Sequence, residues 1–313
     1  MNGDDASFDT APPPEAEPTG LAQLKTRMVR GASAALMPLA QRVAPDHIGG
    51  ETVADALCVA HRLAGEGLPN TLGFWDTAAY SRRDVAETYV ETIERLSTSG
   101  LDGYVSIKPP ALRFEHETAK RLAAVASTHG IRLHCDSHGI EVADLSGAMI
   151  ETMLARLPPD ALGTTLPGRW SRSLTDADWA VERGLPVRVV KGQWPDPEDP
   201  KRDMVSGCLD VVDRLAGRAR HVAVASHDVS LVPEAINRLR AAGTSCELEL
   251  IHGAPLAEPL DWARNNGVAV RIYVPFGKGF IPNAVGLIRR NPRFAWRIVT
   301  GFVAERTRSR SAP

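Results

Sequence analysis

"VRIYVPFGKGFIPNAVGLIRRNP" occupies residues 270–292. It opens on a β-branched run, passes through a Pro/Gly turn and continues into an apolar stretch with helical spacing, so it reads as one strand–turn–helix unit. Working back along the chain, the same alternation recurs. Short runs rich in Val, Ile and Leu stand at 71–75 (TLGFW), 103–108 (GYVSIK), 131–136 (IRLHCD), 162–166 (LGTTL), 186–191 (PVRVVK), 221–226 (HVAVAS), 246–251 (CELELI) and 268–274 (VAVRIYV). Each is followed by a longer stretch with apolar spacing near 3.6, the first beginning at Ser81, a candidate N-cap with Asp84 three residues on, and the last covering 281–299. Eight strands with eight following helices fill about 230 residues, the layout and size of an α/β (β/α)₈ TIM-type barrel. A doubly wound open sheet is the alternative, but neither G-x-G-x-x-G nor G-x-x-x-x-G-K-[ST] is present. Two amphipathic stretches, 21–43 and 51–65, precede the first strand and are expected to add N-terminal helices outside the barrel or over one end.

Composition bounds the function. The 313 residues are 43% hydrophobic, enough for a sizeable core, and the net charge of −2 gives no basic field for nucleic acid or a membrane surface. No apolar run reaches the roughly 18 residues of a transmembrane helix, and the acidic, Pro-rich start has no signal-peptide core. Cys58, Cys135, Cys208 and Cys246 are scattered without a C-x-x-C, which suits buried thiols in a reducing cytosol better than disulfides or a zinc finger. The expected organisation is a disordered segment at 1–19, N-terminal helices at 20–66, a catalytic barrel at 67–302 and a solvated basic tail at 303–313.

In such barrels the active site lies at the C-terminal ends of the strands. Strand two ends on Lys108 and strand three on Asp136. Strand five holds Arg188 and runs into Lys191 and Trp194, strand six into Ser226, His227 and Asp228. Strand seven carries Glu249 and then His252, and strand eight reaches Tyr273. Burying so many ionisable groups is costly unless they are paired or bind something polar. A ligand with charged and flat apolar parts fits the set. Each residue also has a plainer reading: lysines at strand ends snorkel to solvent, His252 serves as a loop residue and Trp194 as packing. Asp136 and Arg188 alternate with apolar neighbours on interior strands and resist that reading. A metal-dependent hydrolase is a second option, with His134, Asp136, His138, His227, Asp228 and His252 as ligands, although Gly139 argues for a loop where His134, Asp136 and His138 need a strand.

The stretches "VRVVKGQW", "VASHD", "CELELIHG" and above all "VRIYVPFGKGFIP" resemble the proline dehydrogenase family over roughly residues 55–300. The resemblance implies a distorted (β/α)₈ barrel that binds FAD, oxidises L-proline to Δ1-pyrroline-5-carboxylate with hydride passing to flavin N5, and delivers electrons to quinone. It implies a cytoplasmic enzyme, or one peripheral to the inner membrane, with no metal. By the same resemblance Lys108 lies near the substrate carboxylate, Asp136 beneath the substrate amine and flavin, Arg188 at the flavin near N5 and Tyr273 on the proline ring. Lys191, Gly192, Gln193, Trp194, Ser226, His227, Asp228 and Glu249 fall on the cofactor.

The sequence also departs from the family. Pro167 stands for a strand-four glutamine that pairs with the flavin pyrimidine, Gln193-Trp194 for an Ala-Tyr pair, and Glu249 for a glutamine. Gly286 and Leu287 stand where two adjacent arginines clamp the proline carboxylate. This chain's own pair, Arg289 and Arg290, comes three residues late and is expected to serve the substrate instead. A non-catalytic or altered-substrate relative is therefore a third reading.

Overall fold

The structure is a computed structural model that describes residues 49–279. The segment 1–19, the 21–43 stretch, the 281–299 helix with Gly286, Leu287, Arg289 and Arg290, and the basic tail lie outside the described residues.

Among the described residues helix α1 (Val53–Gly65) comes first, its start fixed by a capping box in which the Thr52 hydroxyl and the Asp55 carboxylate each serve the other's backbone N–H. Then follow β1 (Asn70–Phe74), α2 (Arg82–Thr98), β2 (Gly103–Ile107), α3 (His116–His129), β3 (Leu133–Cys135), α4 (Ala143–Leu154), β4 (Leu162–Pro167), α5 (Ser173–Arg183), β5 (Val187–Val190), α6 (Met204–Leu215), β6 (Val222–Ala225), α7 (Val232–Ala241), β7 (Cys246–Ile251), α8 (Ala257–Asn265) and β8 (Val270–Phe276). Every neighbouring pair is parallel and β8 returns to pair with β1, so the sheet is a closed eight-strand barrel in sequence order. The expected barrel is what forms, and α2 starts at the Ser81/Asp84 capping box read from the sequence.

The strands divide their residues by period two. Leu72, Phe74, Val105, Ile107, Val187, Val189, Leu248, Leu250, Ile272 and Val274 face outward and are buried with apolar helix residues such as Ile93, Leu122 and Val211. Full burial of one such side chain stabilises by about 1.5–3 kcal/mol, so this shell between sheet and helices carries the fold. The other face is polar. Thr71, Tyr104, Ser106, His134, Thr165, Arg188, Glu247, Glu249 and Arg271 are all buried, and many bond across the interior to strands they do not adjoin.

At the N-terminal end of the barrel, Arg271 donates through Nε to Glu247 Oε1 at 2.9 Å and through NH1 to the Asn70 carbonyl at 3.1 Å. Its guanidinium lies 5.0 Å from the Tyr104 ring centroid, as does that of Arg132. Burial works to raise the Glu247 pKa, but the hydrogen bond from His221 and the Arg271 charge overcome it and hold that carboxyl at about 2. A depressed folded-state pKa gives stability that is complete above the unfolded value, near 4.5, and lost as pH falls toward 2. At 1.36 kcal/mol per unit this amounts to about 3 kcal/mol. Glu247→Gln is expected to be less stable at neutral pH and to show a flatter stability profile across that window. Denaturant unfolding at a series of pH values checks it, and a slope identical to wild type would contradict the assignment.

Candidate active site

The C-terminal mouth is organised around Arg188, which enters the barrel from β5. Its five N–H groups are all engaged. Nε and NH2 donate to the two oxygens of Glu249 at 2.5 and 3.0 Å, a bidentate pair. NH2 also donates to the Tyr104 hydroxyl at 3.2 Å, and NH1 to Asp136 Oδ1 at 2.6 Å and Ser106 Oγ at 3.3 Å. Burial opposes the charge on Arg188, but Glu249, Tyr104 and Asp136 outweigh it and push the pKa well up, so the guanidinium is permanently charged. Glu249 is completed from below by the Thr71 hydroxyl at 2.8 Å.

Asp136 links this core to the mouth. The Ser106 hydroxyl donates to its Oδ1 at 2.6 Å and the Tyr273 hydroxyl to its Oδ2 at 3.0 Å. Burial raises the Tyr273 pKa well above the ordinary phenol value, so the hydroxyl keeps its proton and acts as a donor. Trp75 Nε1 lies 3.3 Å from the same hydroxyl. The Tyr273 ring needs Gly73 opposite it: a Cβ on Gly73 would fall 2.0 Å from the Tyr273 oxygen. Lys108 completes the wall, its Nζ 4.9 Å from the Trp75 ring centre and 3.7 Å from Asp76 Oδ1. Pro109 after it favours an extended Lys108 backbone, observed at φ −110°, ψ 106°, and having no N–H to give the ladder it ends the strand there. Burial lowers the Lys108 pKa against the opposing pull of Asp76 and Asp136.

A second group lines the loops after β5 and β6. Lys191 pairs with Asp228, whose other oxygen accepts from Ser230, and the Ser226 hydroxyl accepts from the Asp228 N–H at 3.1 Å. Burial notwithstanding, these bonds hold the Asp228 carboxyl well below the usual range. His227 bridges two loops, with Nδ1 3.0 Å from the Pro255 carbonyl and Nε2 accepting from the Ile251 N–H at 3.0 Å. Gly192 sits at φ +94°, and a Cβ there would crowd Pro167 and Arg169, so the turn is tight against the end of β4. Trp194 lies 5.7 Å, centroid to centroid, from His138. Burial and then Lys108 push the His138 imidazole down to about 4, and its buried Nε2 has no hydrogen-bond partner.

The four residues expected to act, Lys108, Asp136, Arg188 and Tyr273, therefore form one contiguous chain, with Trp75 joining Lys108 to Tyr273. Lys191, Ser226, His227 and Asp228 form the second group, with Gln193 and Trp194 on the turn between. Glu249, expected at the cofactor, lies beneath Arg188 and is bonded to it. Arg289 and Arg290 fall outside the described residues. The metal-ligand set does not assemble: among the described residues no three His, Cys, Asp or Glu side chains converge on one point. His134 is 3.0 Å from the Thr165 hydroxyl inside the barrel, Asp136 faces Arg188, and His227 is tied to backbone.

No family model matches the chain. Among curated proteins, the proline dehydrogenase of Deinococcus radiodurans is 22% identical over 276 residues, 82% of this chain and 88% of that protein. The chain is thus similar to a proline dehydrogenase over most of its length, at low identity. Solved structures of proline utilization A superpose on the same barrel. The Bdellovibrio bacteriovorus protein, inactivated by N-propargylglycine, matches with a TM-score of 0.67 at 19% identity over 88% of this chain, and the Corynebacterium freiburgense protein with 0.63 at 15% over 91%. The chain spans 35% of the length of each of those structures. Among the described residues no helix is long and apolar enough to cross a membrane.

Trp75, Asp76, Gly73, Tyr104 and Ser106 were not singled out in the sequence. Trp75 and Asp76 follow the first strand as Lys108 follows the second, so strand-end position was a sufficient signal. Gly73 is a partner of Tyr273 only through the register that sets β1 against β8, which no local pattern reveals.

Proposed function

We propose that this chain is a flavoenzyme of proline dehydrogenase type that oxidises L-proline or a related cyclic secondary amine to the imine. The observation that carries the reading is the contiguous chain Lys108–Trp75–Tyr273–Asp136–Arg188 at the mouth of the barrel. The residues suit FAD: aromatic walls for a flat ring, a buried His138 nitrogen still lacking a partner, and charged groups from β5 and β6. Lys191, Gly192, Gln193, Trp194, Ser226, His227 and Asp228 would hold it together with Arg188, Glu249 acting through Arg188. FAD supplies the hydride acceptor when bound, and quinone is the expected final oxidant, reached from the cytoplasm or the membrane surface.

The chain's own part is positioning. Tyr273 and Trp75 form the apolar wall that orients the amine ring. Asp136, an acceptor held by three donors, faces the substrate nitrogen and stabilises its positive charge before the proton leaves. The ammonium nitrogen gives a proton to solvent, the adjacent carbon loses a hydride as the C=N bond forms, and the iminium so made releases its remaining N–H proton to solvent to give the imine.

One observation favours an altered substrate within this class. Lys108, Arg188 and Lys191 each already face a carboxylate of the protein, and Gly286 and Leu287 are not cations. A cyclic amine whose acid group is distant or absent fits that charge balance better than L-proline. Purified protein is expected to be yellow, with flavin absorbance near about 450 nm, and to bleach faster with pyrrolidine than with L-proline at equal concentration. Protein that is colourless and takes up no added FAD would remove the cofactor from this reading; flavin that no cyclic amine reduces would leave a binding protein without turnover.

A further inference from the structure

Two buried polar atoms in the loops after β3 and β4, His138 Nε2 and Arg169 Nε, have no hydrogen-bond partner. Both belong to side chains that flank one turn. His138 packs on the Trp194 ring, and Arg169 NH1 reaches the Gln193 carbonyl at 3.5 Å. The ladder between β4 and β5 continues past the strands, from Gly168 N to the Val190 carbonyl at 2.8 Å and from Arg169 N to the Lys191 carbonyl at 3.1 Å. This places Arg169 beside Lys191 at the rim. Lys191 is neutralised by Asp228. Arg169, among the described residues, has no carboxylate partner. A guanidinium with a buried N–H and no acceptor calls for an oxygen that carries negative charge.

The topology says which ligand brings it. In the closed barrel β4 is four strands from β8 and lies across the mouth from it. A small ring amine held against Tyr273, Trp75 and Lys108 occupies the β8–β1–β2 side. The β4–β5 side is left to the larger, flat ligand. Resting on the flavin reading above, we infer that Arg169 binds an oxygen of the flavin cofactor, on its ring or its phosphate, and that it is a determinant of cofactor affinity rather than of substrate affinity.

Titration of cofactor-free protein with riboflavin, FMN and FAD, followed by quenching of flavin fluorescence, tests this. One charge-assisted hydrogen bond corresponds to about 10- to 100-fold in affinity. Arg169→Ala is expected to weaken FAD binding by that factor and Arg169→Lys by less. Arg169→Gln, which keeps most of the side chain's reach, carries the test should the alanine variant not fold. Equal weakening for all three flavins places the contact on the ring, and weakening for FMN and FAD alone places it on the phosphate; either supports the inference. Unchanged binding of all three in folded Arg169→Ala and Arg169→Gln overturns it while the flavin reading stands. A wild-type protein that binds none of the three overturns both.

Discussion

Arg188→Ala is expected to destabilise the fold by about 3–5 kcal/mol, the usual consequence of removing one partner of a buried ion pair. The loss leaves Glu249, 2% exposed, and Asp136 without their cation, and it removes one donor from each of the Tyr104 and Ser106 hydroxyls as well. Flavin occupancy or flavin reduction should fall with it. The two effects are separable. Arg188→Met in a Glu249→Gln background removes the charge and one counter-charge together, so much of the stability should return while the flavin effect persists. Chemical unfolding gives the first quantity and the visible spectrum the second. Wild-type stability in Arg188→Ala would mean that the five hydrogen bonds do not hold the interior together, and wild-type flavin content and reduction would mean that Arg188 is structural only.

Gly73→Ala carries the second large effect. The added methyl would stand 2.0 Å from the Tyr273 oxygen and 2.3 Å from Cζ, so the ring must swing away and release Asp136. Overpacking of this kind costs about 1–3 kcal/mol. Displacing a positioning group by about 1 Å lowers turnover by about 10²-fold. We expect kcat/KM for the cyclic amine to drop by that factor with only a modest fall in Tm. The Gly73→Ala/Tyr273→Ala double variant should recover stability relative to Gly73→Ala but not activity. If the double variant is less stable than Gly73→Ala, the methyl and the phenol do not compete for the same space.

The barrel was legible in the sequence because its outward shell is apolar on every strand and because each strand is followed by a stretch of helical period. The sites were legible where a charged residue closes an apolar run, as Lys108 and Asp136 do. Polarity inside the barrel was not. "CELELI" and "VRIYV" alternate as a half-exposed antiparallel strand would, and only closure shows that Glu247, Glu249 and Arg271 point inward. Pairings such as Gly73 with Tyr273 or Arg188 with Glu249 join residues far apart in the chain, and distance in sequence hides them. The strained point is Arg188: the family resemblance gives it to the flavin, while the fold gives all five of its N–H groups to the protein.

The charges of the interior are unevenly shared between the two halves of the barrel. Arg188, Glu247, Glu249 and Arg271, two cations and two anions, all belong to β5–β8, whereas β1–β4 contribute hydroxyls, a phenol and the His134 imidazole, which burial keeps neutral. A ribosome delivers the first half before the second. The strands that emerge early thus need no counter-ion to close against one another, and the late ones bring cation and anion together in neighbouring segments. Translation order and charge balance meet at one point: Asp136, just past β3, waits for its cation until Arg188 arrives on β5.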